Sequence, residues 1–319
     1  MNDRVIVGVK PTLPGCLNNW RWLTDPIPAE RLAALRIGTG LLLFLDVVIT
    51  YFPFRYDFFG PGSLAEPGVF DELVTRPSWG WSLIHWFPGV FTPDVICWLW
   101  AGATLALLFG VFPRIAALIG WAMAVSVMHT NAYLHNSGDL IRQHLLLFLM
   151  LTPCGACWSI KRPTGVPRGA KTAIYPWALR LLFLELVVIY FFNGVYKLAM
   201  GMHWRDGAVM HYVLHTPGWA RWSPPFDLPF WLTAGLSYFV LAWELTFPAM
   251  VLIKQARLWA LAIGAAFHLG TFFNLEIGPF GLYALLCYLP LLPWEGRPAE
   301  ARAERCPISI RESMECVPA

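Results

Sequence analysis

Long apolar runs alternate along the chain with short polar connections rich in Pro and Gly. Runs long enough to cross about 30 Å of hydrocarbon predict helices over residues 32–53, 92–111, 114–134, 139–158, 176–199, 229–252, 258–274 and 278–294. The stretch 54–90 holds Pro61, Gly62, Pro67, Pro77 and Trp79, and 201–228 is rich in Pro, Trp and His, so both read as loops with interfacial pieces. Neither has the length of a separate domain, and no internal repeat is evident. The pattern predicts an all-α, polytopic membrane helical bundle of about eight spans over 32–294, between a polar N-terminal segment, 1–31, and a polar tail, 295–319.

Composition agrees with that pattern. Charged residues make up 13% of the chain, against roughly 25% in a soluble domain, which excludes a soluble enzyme. The abundant Trp and Phe suit rings that sit at bilayer interfaces. No basic stripe interleaved with aromatics suggests a nucleic-acid partner. The first 31 residues lack an apolar core, so no cleavable signal peptide is expected and the first helix directs insertion. The seven cysteines are scattered and form no disulfide framework.

Charge then sets orientation. With eight spans, fifteen Lys and Arg fall in segments on one side and four, Arg55, Arg76, Arg205 and Arg221, on the other. The positive-inside rule puts both termini in the cytoplasm, in a bacterial inner membrane. Lys197, Asp139, Arg142 and His268 then gather in the outer half of the bilayer, although they come from helices distant in sequence.

Candidate chemistry centres on Tyr190–Gly207, YFFNGVYKLAMGMHWRDG. Asn193 and Lys197 are four apart and share a helix face. An ionisable group in a membrane-length run marks a functional site, although a lysine near a helix end also snorkels to the headgroups. Asn136, Asp139 and Arg142 repeat at three-residue spacing. Capping explains the first two, and an ion pair or a substrate-facing role accounts for Arg142. His268 lies among small residues, as a satisfied packing partner or as a proton relay. Arg36, Asp46 and Glu244 read as structural intramembrane charges whose partners the sequence does not name. Cys154 and Cys157 form the one CxxC, read as small helix-end residues rather than a redox dithiol. No metal is expected, since no HxxxH, HExxH or Cys/His cluster of ligand spacing occurs. No GxSxG, phosphate-binding or dinucleotide-binding loop is present, and the lack of matching halves argues against a transporter.

The segments ALRIGTGLLLFLDV (34–47), HNSGDLIRQHLLLFLMLTPCGACWSI (135–160), YFFNGVYKLAMGMHWRDG (190–207), AWELTFP (242–248) and FHLGTFFNLEIGPFGLYALLCYLPLLP (267–293) together resemble the HTTM (horizontally transferred transmembrane) domain. That domain is related to the membrane part of vitamin K-dependent gamma-carboxylase. The resemblance implies a vitamin K-like quinol as substrate or cofactor, with epoxidation and lyase-type carboxylation as the reaction. It also implies Lys197, in GVYKL, as the base and His268, in the FH run, as a second catalytic residue; Trp204 lies in the same GVYKL…W…G stretch, one of the most specific pieces of the resemblance. Tyr196 stands where the carboxylase has a second lysine, and Asp139 falls near the place of a further catalytic histidine. The tail of about 25 residues leaves no lumenal substrate domain, so large protein substrates are not expected.

The combined expectation is a membrane protein with an outer-leaflet pocket for a quinol-type substrate. Lys197 is the base, His268 a relay, and Asn193, Asn136, Asp139, Arg142 and Trp204 orient the substrate. The partners expected are membrane lipids or a quinone, with a partner protein left unidentified. A non-catalytic module that binds a lipid, quinone or partner protein is the alternative, and a transporter is the third reading.

Overall fold

The computed structural model describes residues 5–8, 25–63, 81–130, 136–162, 171–222 and 226–292. Most of the N-terminal segment 1–31, and all of the tail 295–319 with Cys306 and Cys316, lie outside the described residues. Helices α1 (Glu30–Asp46, continued by a π-helical turn Val47–Tyr51), α2 (Arg55–Phe59), α3 (Leu83–Trp86), α4 (Pro93–Phe109), α5 (Pro113–Thr130) and α6 (Ser137–Leu151) form the first half. The second half comprises α7 (Trp177–Met200), α8 (Met202–Arg205), α9 (Val209–His215), α10 (Phe230–Leu252), α11 (Lys254–Asn274) and α12 (Phe280–Leu286, then a 3-10 turn Leu289–Leu291).

A helix stands at each of the eight predicted positions. Four of them, Glu30–Tyr51, Trp177–Met200, Phe230–Leu252 and Gln255–Asn274, are long and apolar enough to cross a membrane. Pro93–Phe109 and Phe280–Leu291 are shorter apolar helices. The fourth predicted helix stops at Leu151 rather than 158, with Thr152 extended at φ −110, ψ 161. Pro153 follows, and the residue before a proline is pushed out of the α region. The last predicted helix breaks at Cys287, three residues before Pro290.

One feature departs from an all-α fold. Strand β1 (Val5–Val7) pairs in parallel with β3 (Thr172–Ile174), and β2 (Ile27–Pro28) pairs antiparallel with β3, giving a three-stranded sheet β1-β3-β2. Strands of two or three residues carry no period-2 signal, and their partners lie far away in sequence.

Within the bundle, α1 packs on α4, α4 on α5, and α5 on α6. A second group is made by α7 on α10 and α10 on α11, and α12 touches α11, α6 and α1 between the groups. Leu35, Leu43, Trp100, Leu107, Leu145, Leu149, Phe247 and Tyr283 are buried in one continuous core. The sheet marks one end of the bundle, where the Ile160 N–H donates to the Phe109 carbonyl at 3.0 Å and Arg31 reaches the Pro290 carbonyl at 3.5 Å. At the far end Arg55 pairs with Asp94 at 2.5 Å, and the Arg221 N–H donates to the Asn274 carbonyl at 2.9 Å.

Candidate functional site

Among the described residues, two polar networks inside the bundle gather most of the candidate site residues. The first is built around Arg142 on α6. Asn136 caps this helix: its Oδ1 accepts the Gly138 N–H at 2.7 Å, and Asp139 Oδ2 accepts the Asn136 N–H at 2.8 Å, a capping box. The other Asp139 oxygen lies 2.9 Å from Arg142 Nη2, close enough for an ion pair although not aligned as a hydrogen bond. Arg142 Nη1 donates to Asp46 Oδ2 at 3.2 Å and to the Tyr51 hydroxyl at 2.9 Å. The Tyr283 hydroxyl donates to the same Asp46 oxygen at 2.8 Å. The guanidinium also stacks against Tyr51 and Trp100, 5.1 and 5.0 Å from the ring centroids. A small cavity of about 100 Å³ adjoins this network, lined in part by Asp46, Tyr51, Asn136, Asp139, Arg142 and Tyr283.

The π-helical turn is what lets α1 supply two of these groups. At 3.6 residues per turn, positions five apart lie roughly 140° around an α-helix. The Phe52 N–H instead bonds to the Val47 carbonyl at 2.8 Å, the five-residue spacing of a π turn. That widened turn brings Tyr51 back toward the side of Asp46, and both meet Arg142.

The second network joins α7, α10 and α11. Tyr190, Gly194 and Lys197 follow one stripe of α7, four and three residues apart. Gly194 permits the close approach of α10, since a Cβ there would lie 3.2 Å from Glu244 Cβ and 3.0 Å from Leu245 Cδ2. One turn on, Lys197 Nζ donates to Glu244 Oε1 at 2.5 Å. The ammonium also sits 4.3 Å from the Trp204 ring centroid, a cation–π contact. Lys197 is 21% exposed and Glu244 3%, and the second oxygen of Glu244 is buried without a hydrogen-bond partner. Pro248 lies inside α10, four residues beyond Glu244. It removes the N–H that would have bonded the Glu244 carbonyl, so this carboxylate, like Asp46, stands at an irregularity in its helix.

About 10 Å along α7 from Lys197, at 1.5 Å per residue, the Tyr190 hydroxyl meets His268 Nε2 at 2.5 Å and the Tyr288 hydroxyl at 2.7 Å. His268 is fully buried, and its Nδ1 has no hydrogen-bond partner. Trp243 and Phe247, which flank Glu244 on α10, pack on the Tyr190 ring at 4.7 and 4.5 Å. Helix α12 ties the two networks together. Phe280 packs on the His268 ring at 5.5 Å, Tyr283 holds Asp46 and Tyr288 holds Tyr190. Gly281 lets this helix lie against the His268 carbonyl, where a Cβ would come within 2.5 Å.

The structure thus groups Lys197 with Glu244 and Trp204, and groups Asp139, Arg142 and Asn136 with Asp46. His268 lies between the groups. Asn193 is exposed, and no hydrogen bond among the described residues ties it to the Lys197–Glu244 pair. Arg36 is buried with no carboxylate partner among the described residues; its Nη1 bonds Ser159 Oγ at 2.5 Å and its Nη2 the Trp158 carbonyl at 2.6 Å. Cys154 and Cys157 are buried free thiols. Among the described residues no group of three or more His, Cys, Asp or Glu could hold a metal ion. In the loop after α8, the Ala208 N–H donates to Asp206 at 2.9 Å and holds that carboxyl below its ordinary range.

Sequence reasoning missed the tyrosines. Tyr51, Tyr190, Tyr283 and Tyr288 all bring hydroxyls into the core, and a buried Tyr hydroxyl needs a partner, so a Tyr deep in an apolar run was the available signal. Replacing Tyr190 with Phe keeps the ring contacts but strands His268 Nε2 and the Tyr288 hydroxyl. The expected cost is about 1–3 kcal/mol, read as a lower thermal midpoint of the purified protein. An unchanged midpoint would show that these hydroxyl bonds do not hold the helices.

A helical bundle with membrane-length apolar helices and ionisable groups paired in its interior defines an integral membrane protein. The HTTM domain matches residues 24–293, most of the chain, and the protein belongs to that family. No curated protein and no solved structure matches it.

Proposed function

We propose that this HTTM protein spans the membrane eight times and binds a quinol-type, lipid-soluble molecule beside Lys197, with the Lys197–Glu244 pair acting on its hydroxyl. The eight-span arrangement is supported by the way helix ends sort to two ends of the bundle. The sheet, the 158–162 turn and the last 3-10 turn lie at one end; the Arg55–Asp94 and Arg221–Asn274 contacts lie at the other. With Lys and Arg concentrated at the sheet end, that end is cytoplasmic, the membrane is a bacterial inner membrane, and Lys197 faces the outer leaflet.

The observation that carries the reading is the buried, partnerless Glu244 oxygen beside a partly exposed ammonium. Together they offer one acceptor and one cation to a hydroxyl arriving from the lipid. Such a site fits a quinol, which supplies an acidic hydroxyl on an apolar body. Glu244 Oε2 accepts that proton, while Lys197 Nζ stabilises the negative charge left on the oxygen. Trp204 fixes the ammonium through its ring. His268 and Tyr190 form a second proton-holding pair deeper in the bundle, shielded from water. Asp139 and Arg142 hold the neighbouring helices and the small cavity near Asn136.

Mass spectrometry of small molecules carried through purification tests this. A quinone or quinol retained by the wild-type protein and lost from Glu244→Gln is expected. Retention of phospholipid alone, or quinone retained equally by both, overturns it. The reading of a non-catalytic lipid- or partner-binding module draws on one observation. The α7 surface around the pair is broadly apolar and exposed, with Phe192 at 61% and Tyr196 at 68%, and such a surface suits a lipid or another helix as well as a substrate.

A further inference from the structure

A separate cavity of about 750 Å³ lies at the sheet end of the bundle, away from both polar networks. We infer that it binds the phosphate headgroup of an anionic phospholipid, with an acyl chain along the outer face of α5. Three cations line it, Arg114, Lys161 and Arg162, and no carboxylate does so among the described residues. Its polar rim is built by two clipped turns. The Ile160 and Lys161 N–H groups donate to the Phe109 and Gly110 carbonyls at 3.0 and 3.3 Å, which fixes residues 160–161 beside the start of α5.

Phe112 then adopts a left-handed φ of 45°, unusual for a bulky residue, with its ring under Lys161 Nζ at 3.7 Å. Arg114 commits one donor, Nε, to the Met150 carbonyl at 3.0 Å, and among the described residues no other hydrogen bond occupies its guanidinium. Both cations are therefore positioned by the protein. The rest of the wall is apolar. Ile115 and Leu118, 57% and 46% exposed, lie one turn apart and continue the cavity up α5. An inorganic anion or a soluble acidic peptide has no use for that track. A molecule with a phosphate head and a hydrocarbon chain fits both parts, and basic pockets at a helix end are where such headgroups dock.

The test is native mass spectrometry of the full-length protein given equal phosphatidylglycerol and phosphatidylcholine. Wild type is expected to retain phosphatidylglycerol selectively. Arg114→Gln with Lys161→Gln is expected to weaken that binding about 30-fold, from the two lost charges, whereas Arg114→Lys with Lys161→Arg retains it. Equal retention of the two lipids by wild type overturns the inference, and this comparison stands even if the Gln variant fails to fold. So does unchanged phosphatidylglycerol binding by a Gln variant that melts like wild type. Displacement of the lipid by an equal concentration of glycerol phosphate also overturns it, because it marks a site for the phosphate group alone.

Discussion

Arg142→Ala is expected to destabilise the protein by about 3–5 kcal/mol, the cost of breaking a buried ion pair by removing one partner. Arg142 and its two carboxylates, Asp46 and Asp139, are at most 3% exposed. Truncation leaves both carboxylates in the core without their cation, together with the space of a large side chain that also packs on Trp100. The measurement is the thermal midpoint and the yield of monodisperse protein in detergent. A second variant sharpens it. Asp46→Asn, Asp139→Asn and Arg142→Met together remove every charge at once, and replacing a buried ionic group as a whole is often nearly neutral. The triple variant should therefore recover most of the loss. If Arg142→Ala alone melts like wild type, the network is not structural and Arg142 is free to serve a ligand.

Lys197→Met should act in the opposite way, with a modest effect on folding and a large one on function. Met keeps an unbranched apolar stem of similar bulk but removes the cation and with it the contact to the Trp204 ring. Glu244, left buried, answers by taking up a proton rather than remaining charged. On the proposed function, oxidation of added quinol by dissolved oxygen is expected to fall by about 10²- to 10⁴-fold, the usual contribution of a positioned acid–base group, while the thermal midpoint stays within a few degrees. Adding Glu244→Gln to Lys197→Met should leave the midpoint where it is and restore no activity. Full activity in Lys197→Met would remove the pair from the chemistry.

The positions of the helices were legible in the chain because lipid makes the hydropathy signal strong and local. Every intramembrane backbone group must be satisfied within its own segment, so an apolar run of sufficient length is already a helix. The cap of α6 was legible for the same reason: Asn136 and Asp139 act on N–H groups within three residues. Lys197 was visible as a charge where charges are costly. The short sheet was not visible, because its strands join residues 5–7 to residues 172–174, a pairing no local window contains. Nor was the exposure of Asn193, since sharing a stripe with Lys197 does not say how far round the helix the contact with α10 extends.

Sequence alone determined the class of the protein, its helices and the residues whose charge demands an explanation. The tertiary structure decided which of those residues answer one another. Lys197 finds Glu244 across 47 positions, Arg142 finds Asp46 across 96, and Tyr283 reaches the same Asp46 across 237. These pairings depend on the rotation of each helix about its axis and on its register against its neighbours. Gly194, Gly281 and the π turn at Val47–Tyr51 help set that rotation and register. Both properties come from packing summed over whole helix faces, which no single stretch of the chain carries.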